Sequence, residues 1–197
     1  MKTATPTRQL PEGYSLTYSL HLKADKSALF WMQVATIPVF ILSAWFFAWL
    51  VLEFRFDAFL GIGRFNNVAL LIGLVAVNLI VLVVHELAHG LFIWVFTRHR
   101  PVYGWHWFYA YAGAPDWYFD KLRYIVIALA PLVLISTVGV ALILVSPAPV
   151  VLFLLGIAVF NATGAVGDLW LVLKSLFEPD DVLIRDTGDG FEFYRRG

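Results

Sequence analysis

Four long apolar stretches constrain this chain more than anything else in it. They run from about Ala28 to Leu52, Val68 to Phe96, Tyr124 to Val145 and Val150 to Phe177. A helix needs about 20 apolar residues to cross the hydrocarbon core of a bilayer, and each stretch is long enough. A backbone in lipid must satisfy its own polar groups, which selects helices for such runs. Of the 197 residues, 60% are hydrophobic and 14% are charged, against roughly 25% charged in soluble domains. The sequence therefore predicts an all-α polytopic protein of the cell membrane with four transmembrane helices. Pro38 and Pro131 fall inside the first and third spans, where each predicts a kink. The short turn Ser146-Pro-Ala-Pro149 predicts that spans three and four form a tight antiparallel pair.

Charge placement orients the spans. Twelve of the fourteen lysines and arginines lie on one side, in the N-terminal tail, around the segment between spans two and three, and at the C-terminal end. Only Arg55 and Arg64 lie on the other. Both termini are therefore predicted to be cytoplasmic. Residues 1–27 read as a retained N-terminal tail rather than a cleaved signal, residues 28–177 as the membrane domain, and residues 178–197 as a C-terminal tail. The formal net charge is zero, so nothing points to nucleic acid. The partners expected are the lipid bilayer and a membrane protein or peptide substrate, and the oligomeric state is not encoded in any motif.

Two stretches break the helical pattern. Residues 98–121 begin with a helix-stopping Pro101, are crowded with Tyr and Trp, and contain a Gly113-Ala-Pro115 turn. They predict a short interfacial β-hairpin between spans two and three. The tail alternates around Thr187-Gly-Asp-Gly190 and predicts a small soluble hairpin.

Within span two the chain reads VVHELAHGLF. Ionisable residues are costly in hydrocarbon and mark functional sites there. His85 and His89 are four residues apart and share a helical face, so both imidazoles can reach one ion. Glu86, rotated round the helix, can instead take a proton from a water polarised by that ion. Ala88 and Gly90 leave room for a substrate or a neighbouring helix. With no cysteine in the chain, a metal must be held by nitrogen and oxygen, and zinc at a catalytic site usually has three protein ligands. Depth selects the third. His85 is 17 residues beyond Val68 and Asp168 is 18 residues beyond Val150, which at 1.5 Å per residue puts both about 25–27 Å from the outer boundary. Two other readings of the histidines are interhelical hydrogen bonding and haem ligation, but the second leaves Glu86 and Asp168 without a role.

Asn161 precedes Asp168 by seven residues and lies on the same face. It can donate to a substrate oxyanion or serve as interhelical glue. Asn78 reads as glue. His99 and His106 sit in the aromatic segment and are weaker ligand candidates, and Asp189-Gly190 reads as a turn.

HELAHG in one span, an interfacial β segment, and Asn161-x-x-Gly-x-x-Gly-Asp168 in a later span resemble the site-2 proteases, which are intramembrane zinc metalloproteases. The resemblance is closer to a group of small bacterial membrane proteins described as zincin peptidases, and it covers roughly residues 68–177. It implies a Zn2+ cofactor bound by His85, His89 and Asp168. It also implies a catalytic glutamate at Glu86, a site role for Asn161, and a β segment at residues 102–112 that presents unwound substrate. The run after Asn161 lacks the prolines usual in site-2 proteases, and Leu169 stands where they have glycine. Two rivals remain on the residues alone: a zinc-dependent hydrolase of lipid amides or esters, and a metal-binding scaffold. A closed structural site would need a fourth ligand, such as His99 or His106.

Overall fold

The structure is a computed structural model that describes residues 5–21, 24–60, 67–106, 109–188 and 190–197. Lys2, Lys23, Arg64, Asp189 and the His106 side chain lie outside the described residues. The elements in chain order are β1 (Tyr14–His21), α1 (Lys26–Phe54), α2 (Phe56–Leu60), α3 (Asn67–Thr97), β2 (Val102–His106), β3 (Tyr109–Gly113), β4 (Tyr118–Asp120), α4 (Lys121–Val145), α5 (Ala148–Gly164), α6 (Val166–Leu176), β5 (Leu183–Asp186) and β6 (Gly190–Arg196).

Helices α1, α3 and α4 are each long and apolar enough to cross a membrane. Large apolar side chains along them, such as Leu42, Trp45, Ile72 and Val133, point outward, as they would towards lipid. The fourth predicted span departs from a single helix. It consists of α5 and α6, bent by 44° at a break around Ala165, and counts as a fourth span only if the pair is taken together. No proline causes the break. The Ala165 N–H still bonds to the Asn161 carbonyl, and glycines at 164 and 167 flank the joint, where they lower the helix propensity.

Polar side chains set several helix ends. Asp25 accepts the Ala28 N–H at 2.9 Å at the start of α1, and Asp120 accepts the Arg123 N–H at 3.2 Å at the start of α4, each satisfying a donor that the first turn leaves open. At its C-terminus α3 stops before Pro101 is reached, because Arg98 takes a left-handed conformation with φ of 58°.

The chain divides into two compact units. One comprises residues 34–85 and 131–166. Its core packs Leu50, Val51, Ala58, Ile143, Val151 and Leu154 in one cluster, and Phe47, Ala158, Val159 and Ala162 in another. Arg55 is tied down there by Asp57 at 3.1 Å and by donation to the Ile143 carbonyl.

The other unit comprises residues 1–33, 86–130 and 167–197. It holds a four-stranded antiparallel sheet in the order β1-β6-β5-β4. The predicted tail hairpin is present as β5 and β6, but it is the middle of a larger sheet. The N-terminal residues read as a tail supply the edge strand β1, whose Tyr14–His21 register runs against Arg196–Gly190. Phe119, Ile184 and Phe193 are fully buried in this unit. Glu178, also buried, receives Lys174 at 3.1 Å and Arg195 at 2.6 Å and so ties the end of α6 to β6. The predicted interfacial hairpin is the separate pair β2–β3, in register from Val102↔Gly113 to His106↔Tyr109. Gly113-Ala-Pro115 ends the hairpin instead of turning it.

Gly190 makes the β1–β6 pairing possible. A Cβ there would lie 1.8 Å from the Leu20 carbonyl oxygen, a backbone atom that cannot swing aside. Gly190→Ala is expected to cost about 3 kcal/mol, at the upper end of overpacking, by prising β1 from the sheet. Faster proteolysis within residues 14–25 would register the loss, and unchanged protection would refute it.

Candidate metal centre

Helix geometry stacks His85 and His89 one turn apart on α3, and both are buried, at 7% and 8% exposure. A neutral imidazole offers one nitrogen to a metal, and the hydrogen bond made by the other decides which. The His89 Nδ1 lies 2.9 Å from the Ile127 carbonyl oxygen. A carbonyl can only accept, so the network assigns the proton to Nδ1 and leaves Nε2 as the ligand atom. The Nε2 in turn faces Asp168, 3.3 Å from Oδ1.

His85 is held by a different device with the same result. Its Nδ1 lies 3.0 Å from Asn161 Oδ1. The Asn161 amide nitrogen donates to the Pro131 carbonyl at 3.3 Å and to Ser136 Oγ at 3.4 Å. Those two acceptors fix which end of the carboxamide faces His85, so His85 Nδ1 must be the donor and Nε2 is again available. Asn161 is 1% exposed. The sequence left open whether it donates to an oxyanion or holds helices together, and its described contacts are those of a residue that orients His85.

Asp168 is the third residue of α6 and lies in its first turn, where the helix dipole favours a carboxylate. The depth count that selected it assumed a straight helix, yet the break at Ala165 comes three residues earlier. His85, His89 and Asp168 each offer a ligand atom, and these atoms all lie within 4.8 Å of one another. Two imidazole nitrogens and a carboxylate oxygen make a donor set suited to zinc. The three residues predicted to share an ion are thus the three brought together.

Glu86 is partly buried and shares a helical face with Gly90, four residues on. The space expected at Gly90 is taken by the chain itself. An added Cβ would lie 2.0 Å from the Tyr103 hydroxyl oxygen and 3.0 Å from Pro101 Cγ. Tyr103, which no sequence pattern singles out, is therefore seated on α3 close to Glu86. Its partial burial and the negative charge of Glu86 both raise its pKa.

The weaker candidates have other partners. His99 Nδ1 lies 2.8 Å from the Thr97 carbonyl, and its ring packs on Trp117 with centroids 5.0 Å apart. The Asn78 amide bonds back to Leu74 of its own helix at 2.7 Å.

One acid was missed. Asp186, at the end of β5, accepts the Tyr124 hydroxyl at 2.9 Å and the Gly188 N–H at 2.7 Å. Gly188 has a φ of 85°, which the turn requires and glycine supplies. Burial pushes the Asp186 pKa up to about 6, against the pull of those two donors. Its folded pKa lies above its unfolded one, so between about pH 4 and pH 6 the folded state binds more protons and stability falls as pH rises. The full excursion is at most about 3 kcal/mol. In the metal-free protein, Asp186→Asn should flatten this decline in a pH series of melting temperatures. An equally steep series in the variant would assign the decline to another group.

Residues 78–183, more than half of the chain, match the model of a protein family described as "Putative zincin peptidase". No curated protein and no solved structure matches the chain.

Proposed function

The chain belongs to this zincin peptidase family, and on that premise we propose that it is a zinc-dependent intramembrane protease of the site-2 type, with both termini cytoplasmic. The observation that carries this reading is the meeting of His85 and His89, on a helix long and apolar enough to span a bilayer, with Asp168 on the second half of the bent α5–α6 pair. The two Nε2 atoms and the Asp168 carboxylate would hold the ion, with Asn161 and the Ile127 carbonyl setting the orientation of the rings. Zinc bound there supplies a Lewis acid for the scissile carbonyl and lowers the pKa of water towards about 7. Glu86 takes a proton from the attacking water and delivers it to the leaving amine. A transmembrane substrate must unwind before cleavage, because helical carbonyls are engaged along the backbone. The β2–β3 pair is a two-stranded sheet, and its edge offers main-chain pairing for an unwound segment.

The test is reconstitution in proteoliposomes with a single-span peptide, beside lipid amide and ester substrates. Peptide cleavage that chelation stops and zinc restores is expected. Turnover of lipid alone would replace the protease by a lipid hydrolase. Zinc binding without any turnover would leave a metal-binding scaffold.

A further inference from the structure

The carbonyl that orients His89 is free to do so because of the sequence of α4. In a regular helix the Ile127 carbonyl accepts the N–H of residue 131. Residue 131 is proline, which has no N–H, and its ring presses on the carbonyl four residues back and tilts it off the helix axis. A freed carbonyl in an apolar helix needs another donor. The donor it has is His89 Nδ1, at 2.9 Å. Pro131 is itself almost fully buried, and its own carbonyl accepts from Asn161, the residue that orients His85. One proline thus bears on the orientation of both histidines.

We propose that Pro131 is a positioning residue for the metal centre: by withholding an N–H from the Ile127 carbonyl, it reserves that oxygen for His89 and fixes the tautomer that leaves Nε2 for the ion. The inference rests on the zinc reading above and goes beyond it, since a proline in a membrane helix otherwise reads only as a kink.

Pro131→Ala in the full-length, detergent-solubilised protein restores the competing N–H. Zinc affinity, measured by competition with a chelator, is expected to fall about tenfold, as for loss of other partners that orient metal ligands. The metal-free variant should melt no lower than wild type, because alanine favours the helix. In the metal-free proteins at alkaline pH, where the imidazoles are neutral, imidazole nitrogen NMR should find His89 protonated at Nδ1 in the wild type and mixed between the two nitrogens in the variant. A folded variant with wild-type zinc affinity and an unchanged His89 tautomer overturns the proposal. So does a variant that melts well below wild type, which would make Pro131 a requirement of the fold. If the wild type itself binds no zinc, the metal reading fails, while the tautomer measurement still decides the role of Pro131.

Discussion

Glu86→Gln is expected to leave zinc binding within about twofold of wild type and to reduce peptide hydrolysis by at least about 10³-fold. The two halves of that result have separate causes. Glu86 follows His85 directly, so its side chain leaves α3 about 100° round from the ligand face. It is not among the three residues whose ligand atoms converge. Glutamine nearly preserves its volume, so Gly90 and Tyr103 beside it keep their packing. What glutamine lacks is a site that can accept a proton and later return it. General acid–base catalysis contributes about 10²–10⁴-fold, and here one group serves both transfers, which places the loss in the upper part of that range. The measurement is single-turnover cleavage in proteoliposomes, with zinc per chain determined on the same preparation. Cleavage at the wild-type rate with full zinc would remove Glu86 from the mechanism. Loss of zinc together with activity would make it a ligand.

What could be read from the sequence, and what could not, follows from the range over which each signal acts. Helices α1, α3 and α4 were legible because hydropathy is a local property. His85 and His89 were legible because four-residue spacing on one helix fixes their relation without any tertiary knowledge. Asp168 was reached through a depth count that treated residues 150–177 as one straight helix. The break at Ala165 falsifies that premise, yet Asp168 still lies at His89, since the break comes too late in the segment to carry it far along the chain. The strand β1 was not legible. Its pattern YSLTYSLH is only weakly apolar, and its partner lies about 170 residues away at β6. Non-local pairing leaves no trace in a short window. Asn161 was placed by counting along one helix from Asp168, a helix that breaks between them at Ala165, and its partner His85 was not foreseen, because spacing assigns direction and not contact. Pro131 was read as a kink alone, since the hydrogen bond its ring leaves open is completed by a residue from another helix.

Removing Asp168 should affect the metal as strongly as removing Glu86 affects the chemistry. Asp168→Ala is expected to lower zinc affinity by at least about 100-fold, leaving detergent-purified protein nearly metal-free. Its carboxylate is 3.3 Å from His89 Nε2, with the side chain 21% exposed, so it is the one anionic donor among the three and offsets part of the ion's charge. Two neutral imidazoles from one helix would remain, and they neither enclose the ion nor balance it. A control comes from stability. A ligand at 100 times its Kd stabilises the folded state by about 2.7 kcal/mol, so zinc should raise the wild-type melting temperature and leave the variant nearly unmoved. Asp168→Glu, which keeps the charge on a longer arm, should recover part of both effects. If Asp168→Ala keeps stoichiometric zinc and its thermal shift, the third ligand is another group. Asp168 would then be an ion-pair partner for His89, favoured at the start of α6 by the helix dipole, and the family's peptidase chemistry would have to be rebuilt on a different donor set.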